Sequence, residues 1–317
     1  MPLDFDETNL GVFILWDIGP AKTRFEIGDE VLNGGIAAIY YGLRKFLSKE
    51  YGQFLPTTYL PSLYSTRWFR VAVMSADIHN FTPLSEMLRN VYSQRNVQES
   101  GTITMVLNDH CRTMAETIQT EGRGRIDRFV GPGVVAIFGE HEDHPVKASA
   151  SAVYAALRMV ERFHPLREKF LRQAFGQFYD SESNEAVDID LGIGIDYGTV
   201  LFDYLGDDYH REYTILGDHV NFANLLKFEA GRFDVLTKAL RPPVLISPTV
   251  ERCIRPWLKQ PERIRIQDVP RGMAYTAFGV SSANFDDVLY QKCLENPELW
   301  DDASIWGEDA PPPRRSS

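Results

Sequence analysis

The first clear hydrophobic pattern is a stripe of apolar residues that recur at helical spacing between residues 31 and 50. This period of three to four residues predicts an amphipathic helix. Its apolar members are Ile36, Ile39, Tyr40, Leu43, Phe46 and Leu47. The stripe can pack on the rest of the same chain or on a second copy of it. A proline-containing stretch over residues 54–65 predicts a linker. We therefore expect residues 1–66 to form a helical N-terminal extension that is either regulatory or packed in a dimer.

From residue 67 onward, short apolar runs alternate with stretches of helical period. Strands are predicted over residues 70–76, 125–130, 134–138, 187–195, 199–205, 213–216, 244–247, 264–266 and 275–280. Helices are predicted over residues 102–120, 148–163 and 220–228, with another beginning near residue 82. Tight turns are predicted at Gly131-Pro132-Gly133 and at Tyr197-Gly198. Strands interleaved with helices predict an α/β (α+β) domain over residues 67–281, with a central mixed or antiparallel sheet flanked by helices.

The last part of the sequence, residues 282–317, is acidic and then rich in proline. Three consecutive prolines stand at residues 311–313. Because such a composition offers little apolar surface to bury, it disfavours a packed structure. We therefore expect an acidic, proline-rich C-terminal tail that is partly disordered.

Charge and cysteine content narrow the classes of partner. The net charge of -11 disfavours a nucleic-acid-binding surface, which needs a basic footprint. The three cysteines, Cys111, Cys253 and Cys293, are odd in number and show no C-x-x-C spacing, which fits a reducing compartment. The most apolar stretch, residues 36–43, is too short to span a bilayer. We expect a cytoplasmic protein with no nucleic-acid partner and no membrane span.

Three segments carry the candidate chemistry, in a fixed order along the predicted domain. They are S-A-D-I-H-N-F-T at residues 75–82, G-R-I-D-R-F-V-G through F-G at residues 124–139, and G-I-G-I through Y-T-I-L-G-D-H-V-N-F-A at residues 192–223. Together they resemble the signatures of the class III nucleotide cyclases, which include adenylyl and guanylyl cyclases. The resemblance covers about residues 68–280. It implies a three-layered α/β domain that dimerises head to tail.

The resemblance also implies a reaction. In these enzymes the ribose 3′-hydroxyl of a nucleoside triphosphate attacks the α-phosphate, which yields a 3′,5′-cyclic monophosphate and pyrophosphate. The active sites lie at the dimer interface, where one chain supplies two metal-binding aspartates and the other supplies base-recognition and transition-state residues. Two divalent ions, Mg²⁺ or Mn²⁺, polarise the phosphate. The implied partners are a nucleoside triphosphate and a second cyclase domain, in a homodimer or a heterodimer.

The first segment places Asp77 at the first metal-aspartate position, at the end of a predicted strand, with Ile78 beside it. A carboxylate at a strand end is otherwise a turn residue. The backbone N–H groups after it lie at a helix N-terminus, where they form a phosphate cradle. The candidate phosphate-binding residues are His79, Asn80, Phe81 and Thr82. For His79, a solvent-exposed loop position is the alternative.

Two positions depart from the pattern that the resemblance implies. Pro132 stands at the second metal-aspartate position and offers no side-chain oxygen, although divalent ions need clustered oxygen ligands. Asn221 matches the asparagine that orients the ribose, but the arginine implied one helical turn later is Leu225. Losing one transition-state donor of this kind costs roughly 3–4 kcal/mol. Lys227 is nearby, but two residues further along a helix it points to another face.

The base-recognition positions are also altered. Arg128 stands at the usual lysine position and Glu212 at the usual aspartate position. Arginine presents a planar fork that differs from a lysine ammonium. Two interpretations stay open: the bound base differs from adenine, or Arg128 and Glu212 form an ion pair across the interface.

Because these losses fall on both halves of the composite site, neither a homodimer nor pairing with an intact cyclase completes it. The favoured hypothesis is a nucleotide-binding regulatory relative in cyclic-nucleotide signalling, with weak or absent catalysis. Its cofactor is a divalent cation, Mg²⁺ or Mn²⁺, with a single ion as an option. The alternatives are an active atypical cyclase and a dimerisation module that is independent of nucleotide.

Overall fold

The computed structural model describes most of the chain beyond residue 65. The described residues are 66–82, 84–86, 100–140, 144–175, 189–206, 211–234, 238–268, 273–307 and 310–311. The chain divides into two compact units: Met1–Arg67 with Asp203–Tyr213, and Trp68–Phe202 with Thr214–Ser317. The predicted helix over residues 31–50 lies outside the described residues. Within the first unit, the Thr66 hydroxyl donates a hydrogen bond to the Asp203 carboxylate at 2.9 Å.

Ten strands are present in the described part of the chain. They are β1 (Arg67–Ile78), β2 (Arg125–Val130), β3 (Gly133–Phe138), β4 (Leu191–Gly206), β5 (Arg211–Leu216), β6 (Phe233–Asp234), β7 (Ala239–Leu240), β8 (Val244–Ile246), β9 (Glu262–Asp268) and β10 (Met273–Val280). Eight of them form one sheet in the order β2-β3-β1-β4-β8-β10-β9, with β5 paired to β4. The β4–β8 pair is parallel, whereas β3 pairs antiparallel with β1 and β2, and β10 with β8 and β9. The predicted mixed sheet is confirmed.

Helices cover both faces of this sheet. They are α1 (Ser100–Glu116), α2 (Pro145–Phe175), α3 (Asp218–Glu229), α4 (Pro248–Ile254) and α5 (Asp287–Glu295), and a π-helical turn, Thr117–Glu121, extends α1. Because side chains alternate across a strand, β8 divides its residues between two cores. Val244 and Ile246 join the larger core, which also contains α2 and α4, while Leu245 packs with Leu226 of α3. The sheet therefore has α3 on one face and α2 and α4 on the other.

The turn predicted at Tyr197-Gly198 is wrong, because β4 runs without a break through both residues. Gly198 has a different role there. A Cβ atom added to it would lie 2.0 Å from the imidazole of His219. That imidazole donates from Nδ1 to the Asp196 carboxylate at 2.7 Å, and this hydrogen bond raises the pKa of His219. Glycine is needed here because the start of α3 closely approaches the strand.

The C-terminal segment also differs from its prediction as a tail. Residues 287–305 form α5 and two 3-10 turns, Pro297–Asp301 and Ala303–Ile305. Tyr290 and Trp300 are buried, and the Trp300 ring stacks on that of Trp257 with their centroids 5.5 Å apart. The Trp257 indole N–H donates to the carbonyl of Ile305 at 2.7 Å. The acidic composition of the segment concealed these few large apolar side chains, which complete the core.

Candidate functional site

Asp77 is the next-to-last residue of β1, so its carboxylate lies where the central strand ends. The carboxylate is partly exposed, at 30%. One oxygen, Oδ1, accepts a hydrogen bond from the backbone N–H of Ile78 at 2.9 Å. The other, Oδ2, accepts a hydrogen bond from the ammonium of Lys227 at 3.3 Å. The predicted metal carboxylate is therefore paired with a cation from the same chain.

Lys227 comes from α3, and its side chain is only 9% exposed. Its ammonium lies 4.1 Å from the centroid of the Phe228 ring. The helix can approach the strands closely because a Cβ atom at Gly194 would be 2.3 Å from the backbone nitrogen of Lys227. Helical periodicity predicts that Lys227 and Leu225 lie on different faces of the helix. From its own face, the long side chain of Lys227 reaches Asp77. Sequence reasoning missed this contact because it joins residues 150 positions apart.

In the loop after β1, His79 already makes hydrogen bonds within the chain. The backbone N–H of His79 donates to the carbonyl of Asp190 at 2.7 Å. Its ring Nε2 donates to the carbonyl of Lys227 at 3.1 Å, and the ring fills the space that a side chain at Gly192 would need. Burial lowers the pKa of His79, which favours the neutral imidazole. The ring of His79 thus ties the loop to α3.

A cleft of about 310 Å³ brings the predicted phosphate and metal positions together. Its lining includes Asp77, Ile78, His79, Asn80, Phe81, Thr82, Pro132, Lys227 and Phe228. Asn80 has a left-handed backbone with φ of 59°, and Thr82 already lies within the helix that follows. The first sequence segment and the tip of the β2–β3 hairpin therefore meet at one concave surface.

Pro132 lies at the tip of that hairpin and contributes no side-chain oxygen to the cleft. Its carbonyl accepts a hydrogen bond from Nε2 of His110, a buried residue of α1, at 3.1 Å. Burial lowers the pKa of His110 to about 4, so the imidazole is neutral near pH 7. The hairpin tip is thus held to α1 by a neutral histidine.

The donor set does not fit two divalent ions. Such ions need several oxygen ligands each, supplied largely by carboxylates. At the Asp77 cleft the described residues provide one carboxylate, and Lys227 already neutralises it. Across the whole described part of the chain, no group of three or more His, Cys, Asp or Glu side chains is placed to hold a metal.

A second cleft, of about 330 Å³, shares Asp77 and Lys227 with the first. Arg128 and Asn221 line it, so the structure places one base-recognition candidate and the ribose candidate in a cleft that adjoins the first. Asn221 is exposed on α3. Leu225 lines neither cleft, and no arginine replaces it on the side of α3 that faces them.

Arg128 is held by a buried network within its own chain. Its guanidinium donates to the Asp127 carboxylate and to the Thr214 hydroxyl. Thr214 in turn donates to Asp127 at 2.6 Å, and the N–H of Ile215 donates to the same carboxylate at 3.3 Å. Burial raises the pKa of Asp127, although its hydrogen-bond partners and Arg128 oppose that rise. Glu212 belongs to β5, but its side chain lies outside the described residues, so the predicted pair with Arg128 stays a prediction.

Asp127 and Thr214 therefore hold the candidate Arg128 in place, and sequence reasoning missed both residues. A signal for both was present. Asp127 is a charged residue inside a strand, one position from Arg128, and Thr214 directly follows Tyr213 in the third motif. A carboxylate placed among strand residues needs a partner when it is buried, and the neighbouring arginine is the nearest candidate.

The region that contains these motifs is similar to known proteins. A family model described as the adenylate and guanylate cyclase catalytic domain matches residues 63–240, which is more than half of the chain. An adenylate cyclase of Anabaena cylindrica is 28% identical over 193 residues, which are 59% of this chain and 31% of the relative. The terminal-differentiation-specific adenylate cyclase of Dictyostelium discoideum is 24% identical over 207 residues, which are 65% of this chain and 8% of that protein. This chain thus spans less than a third of the curated relatives that it matches.

Solved structures agree in fold. The adenylyl cyclase CyaB from P. aeruginosa superposes with a TM-score of 0.51 and 23% identity, over 69% of this chain and 97% of that one. A bacterial light-regulated adenylyl cyclase gives the same TM-score at 18% identity, over 86% of this chain and 70% of that one. At such identities the likeness shows the fold alone. In the described residues no helix has the length and hydropathy needed to cross a bilayer.

Proposed function

Because this chain belongs to the adenylate and guanylate cyclase catalytic domain family, we propose that it binds a nucleoside triphosphate at a dimer interface and acts as a regulatory relative. Weak or absent cyclisation is part of the proposal. Proteins of this family use divalent metal ions, and we propose that this chain uses Mg²⁺ or Mn²⁺ as a single ion at Asp77. The proposed setting is cyclic-nucleotide signalling in the cytoplasm.

The ion pair between Asp77 and Lys227 is the observation that carries this proposal. It supports binding because a carboxylate, a buried cation and the loop at the start of the helix after β1 line one cleft. Backbone N–H groups at a helix N-terminus are well suited to phosphate oxygens. Asn221 and Arg128 in the adjoining cleft supply hydrogen-bonding groups for a ribose and a base.

The residues at positions 132 and 225 support a regulatory role over efficient catalysis. Cyclisation needs strong stabilisation of the charge that develops on the phosphate. Pro132 and Leu225 offer neither a carboxylate nor a guanidinium for that purpose. Removing one such donor costs about 10²–10³ in rate, and the two changes fall on different parts of the composite site.

Exposed apolar side chains near the clefts support a dimer. Phe129 and Val130 on β2 and Phe228 on α3 are large and exposed. Apolar groups of this kind are typical of an interaction surface when they cluster near a site. A homodimer and a heterodimer with a related domain both fit the proposal. The free thiols of Cys111, Cys253 and Cys293 support a reducing, cytoplasmic setting.

The test combines binding with product analysis. Purified protein is mixed with ATP, GTP, CTP or UTP and Mn²⁺, its melting temperature is measured, and the products are identified by mass spectrometry. Asp77→Asn removes the charge with little change of shape, and Asp301→Asn is a matched control because Asp301 is exposed and lines neither cleft. We expect at least one triphosphate to raise the melting temperature of the wild type and of the control but not of Asp77→Asn.

The outcomes separate the candidate functions. Stabilisation without product supports the regulatory relative. A cyclic monophosphate that is lost in Asp77→Asn identifies an active atypical cyclase. This is the second candidate function, and it is supported by the two clefts that share Asp77. No stabilisation by any of the four triphosphates refutes the proposal and leaves a dimerisation module that is independent of nucleotide.

A further inference from the structure

Lys227 holds a position between the two clefts that a purely structural ion pair does not require. Lys227 lines both clefts together with Asp77. An ammonium has three donors, and Asp77 is its one side-chain acceptor among the described residues. The remaining protons can therefore be donated to an anion that enters either cleft.

The charges at this position agree with that role. A site for two divalent ions would need a second carboxylate beside Asp77. Here the hairpin tip provides Pro132, which carries no charge, and α3 places the ammonium of Lys227 beside Asp77. The cleft thus contains one carboxylate and one positive charge that belongs to the chain, in place of two carboxylates.

The surroundings of the ammonium also suit a fixed cation. The face of the Phe228 ring lies 4.1 Å from it, and such a ring attracts a cation electrostatically. The carbonyl of Lys227 accepts from His79, so the phosphate loop and the lysine backbone are joined by one hydrogen bond. The cation is therefore held at a fixed place relative to the loop.

We propose that Lys227 replaces one of two divalent ions, so that this chain binds a triphosphate with its own ammonium and a single ion at Asp77. This inference rests on the proposed triphosphate binding. It assigns Lys227 a phosphate-binding role. In this proposal the cleft binds one divalent ion where a cyclase site binds two.

The decisive measurement needs no variant. Mn²⁺ is titrated into the wild-type protein in the presence of a saturating concentration of the triphosphate, among ATP, GTP, CTP and UTP, that stabilises it most. Bound Mn²⁺ is counted by electron paramagnetic resonance. We expect one Mn²⁺ for each bound nucleotide. A count of two overturns the inference while leaving nucleotide binding intact, whereas failure of all four triphosphates to bind refutes the proposed function itself.

Variants test the lysine directly. Lys227→Met keeps the length of the side chain and removes its charge, and Lys292→Met is the matched control because Lys292 is exposed on α5. Charge-assisted hydrogen bonds are strong enough that we expect nucleotide affinity to fall about 10- to 100-fold in Lys227→Met. The control should stay within about twofold. Equal affinities in the two variants overturn the inference.

A double variant reverses the substitution. In Pro132→Asp with Lys227→Met, a second carboxylate is present and the competing ammonium is absent. We expect two Mn²⁺ per nucleotide and recovery of most of the lost affinity. Circular dichroism confirms that each variant is folded, and a count of one Mn²⁺ in the folded double variant contradicts the inference.

Discussion

Replacing Trp300 by alanine tests whether the C-terminal segment is part of the folded domain. The side chain is 4% exposed and stacks on Trp257, with Tyr290 at its edge 6.0 Å away. The carbonyl of Trp300 accepts hydrogen bonds from His144 and Trp306. Because these bonds involve the backbone, the substitution leaves them in place and removes only the ring.

The expected loss follows from the burial of that ring. Replacing a buried tryptophan by alanine costs about 3–5 kcal/mol, since the transfer free energy is lost and a cavity remains. For a domain of this size, each kcal/mol lowers the melting temperature by about 2–4 °C. We therefore expect Trp300→Ala to melt roughly 6–20 °C below the wild type.

Urea unfolding followed by far-ultraviolet circular dichroism measures this loss without relying on tryptophan fluorescence. Trp68→Ala is the matched control, because Trp68 is 65% exposed and removes the same ring from the surface. Its free energy of unfolding should change by less than about 0.5 kcal/mol. A loss below about 1 kcal/mol in Trp300→Ala would refute the packing of the segment described above.

Three further predictions concern single sites. Gly194→Ala places its Cβ atom 2.1 Å from a backbone oxygen of α3, so we expect the free energy of unfolding to fall by about 1–3 kcal/mol or more. Thermal melting measures this loss, and an unchanged melting temperature contradicts the close approach. His110 has its pKa lowered to about 4, below the unfolded value of 6.5, so stability should fall by up to about 3 kcal/mol as the pH drops from 6.5 to 4. His110→Gln, which keeps a donor for Pro132, should flatten that profile. The hydrogen bond to Asp196 raises the pKa of His219, so this pair contributes fully to the free energy of unfolding below pH 6.5. That contribution is lost as the pH rises through the pKa of His219 in the folded protein. In Asp196→Asn, nuclear magnetic resonance should show the imidazole proton shifts of His219 titrating at lower pH.

Much of the site could be predicted because its residues follow local motifs. Asp77 at a strand end and Pro132 at a hairpin tip are fixed by their neighbours in sequence, and the structure brings both to one cleft. Lys227 could not be assigned in this way. Its contact with Asp77 depends on how closely α3 packs on β4, which Gly194 permits and which no helical periodicity encodes.

The C-terminal segment shows a second limit of sequence reasoning. Composition averaged over residues 282–317 is acidic and proline-rich, and this average hides a few large apolar side chains. Burial depends on the individual side chains of Tyr290 and Trp300, whose apolar partners lie in other parts of the chain. A few aromatic residues with distant partners are enough to order an otherwise polar segment.

The stack of Trp257 on Trp300 also sets when the protein can finish folding during its synthesis. β1 begins at Arg67 and lies in the centre of the sheet. Trp300 belongs to the core that packs on this strand, but it comes near the end of the described residues. At translation rates of about 5–20 residues per second, roughly 12–48 s pass between the emergence of Arg67 and that of Ile305. Through that interval the apolar central strands lack their final cover. We therefore expect the nascent chain to expose hydrophobic segments that chaperones can bind until the C-terminal residues leave the ribosome.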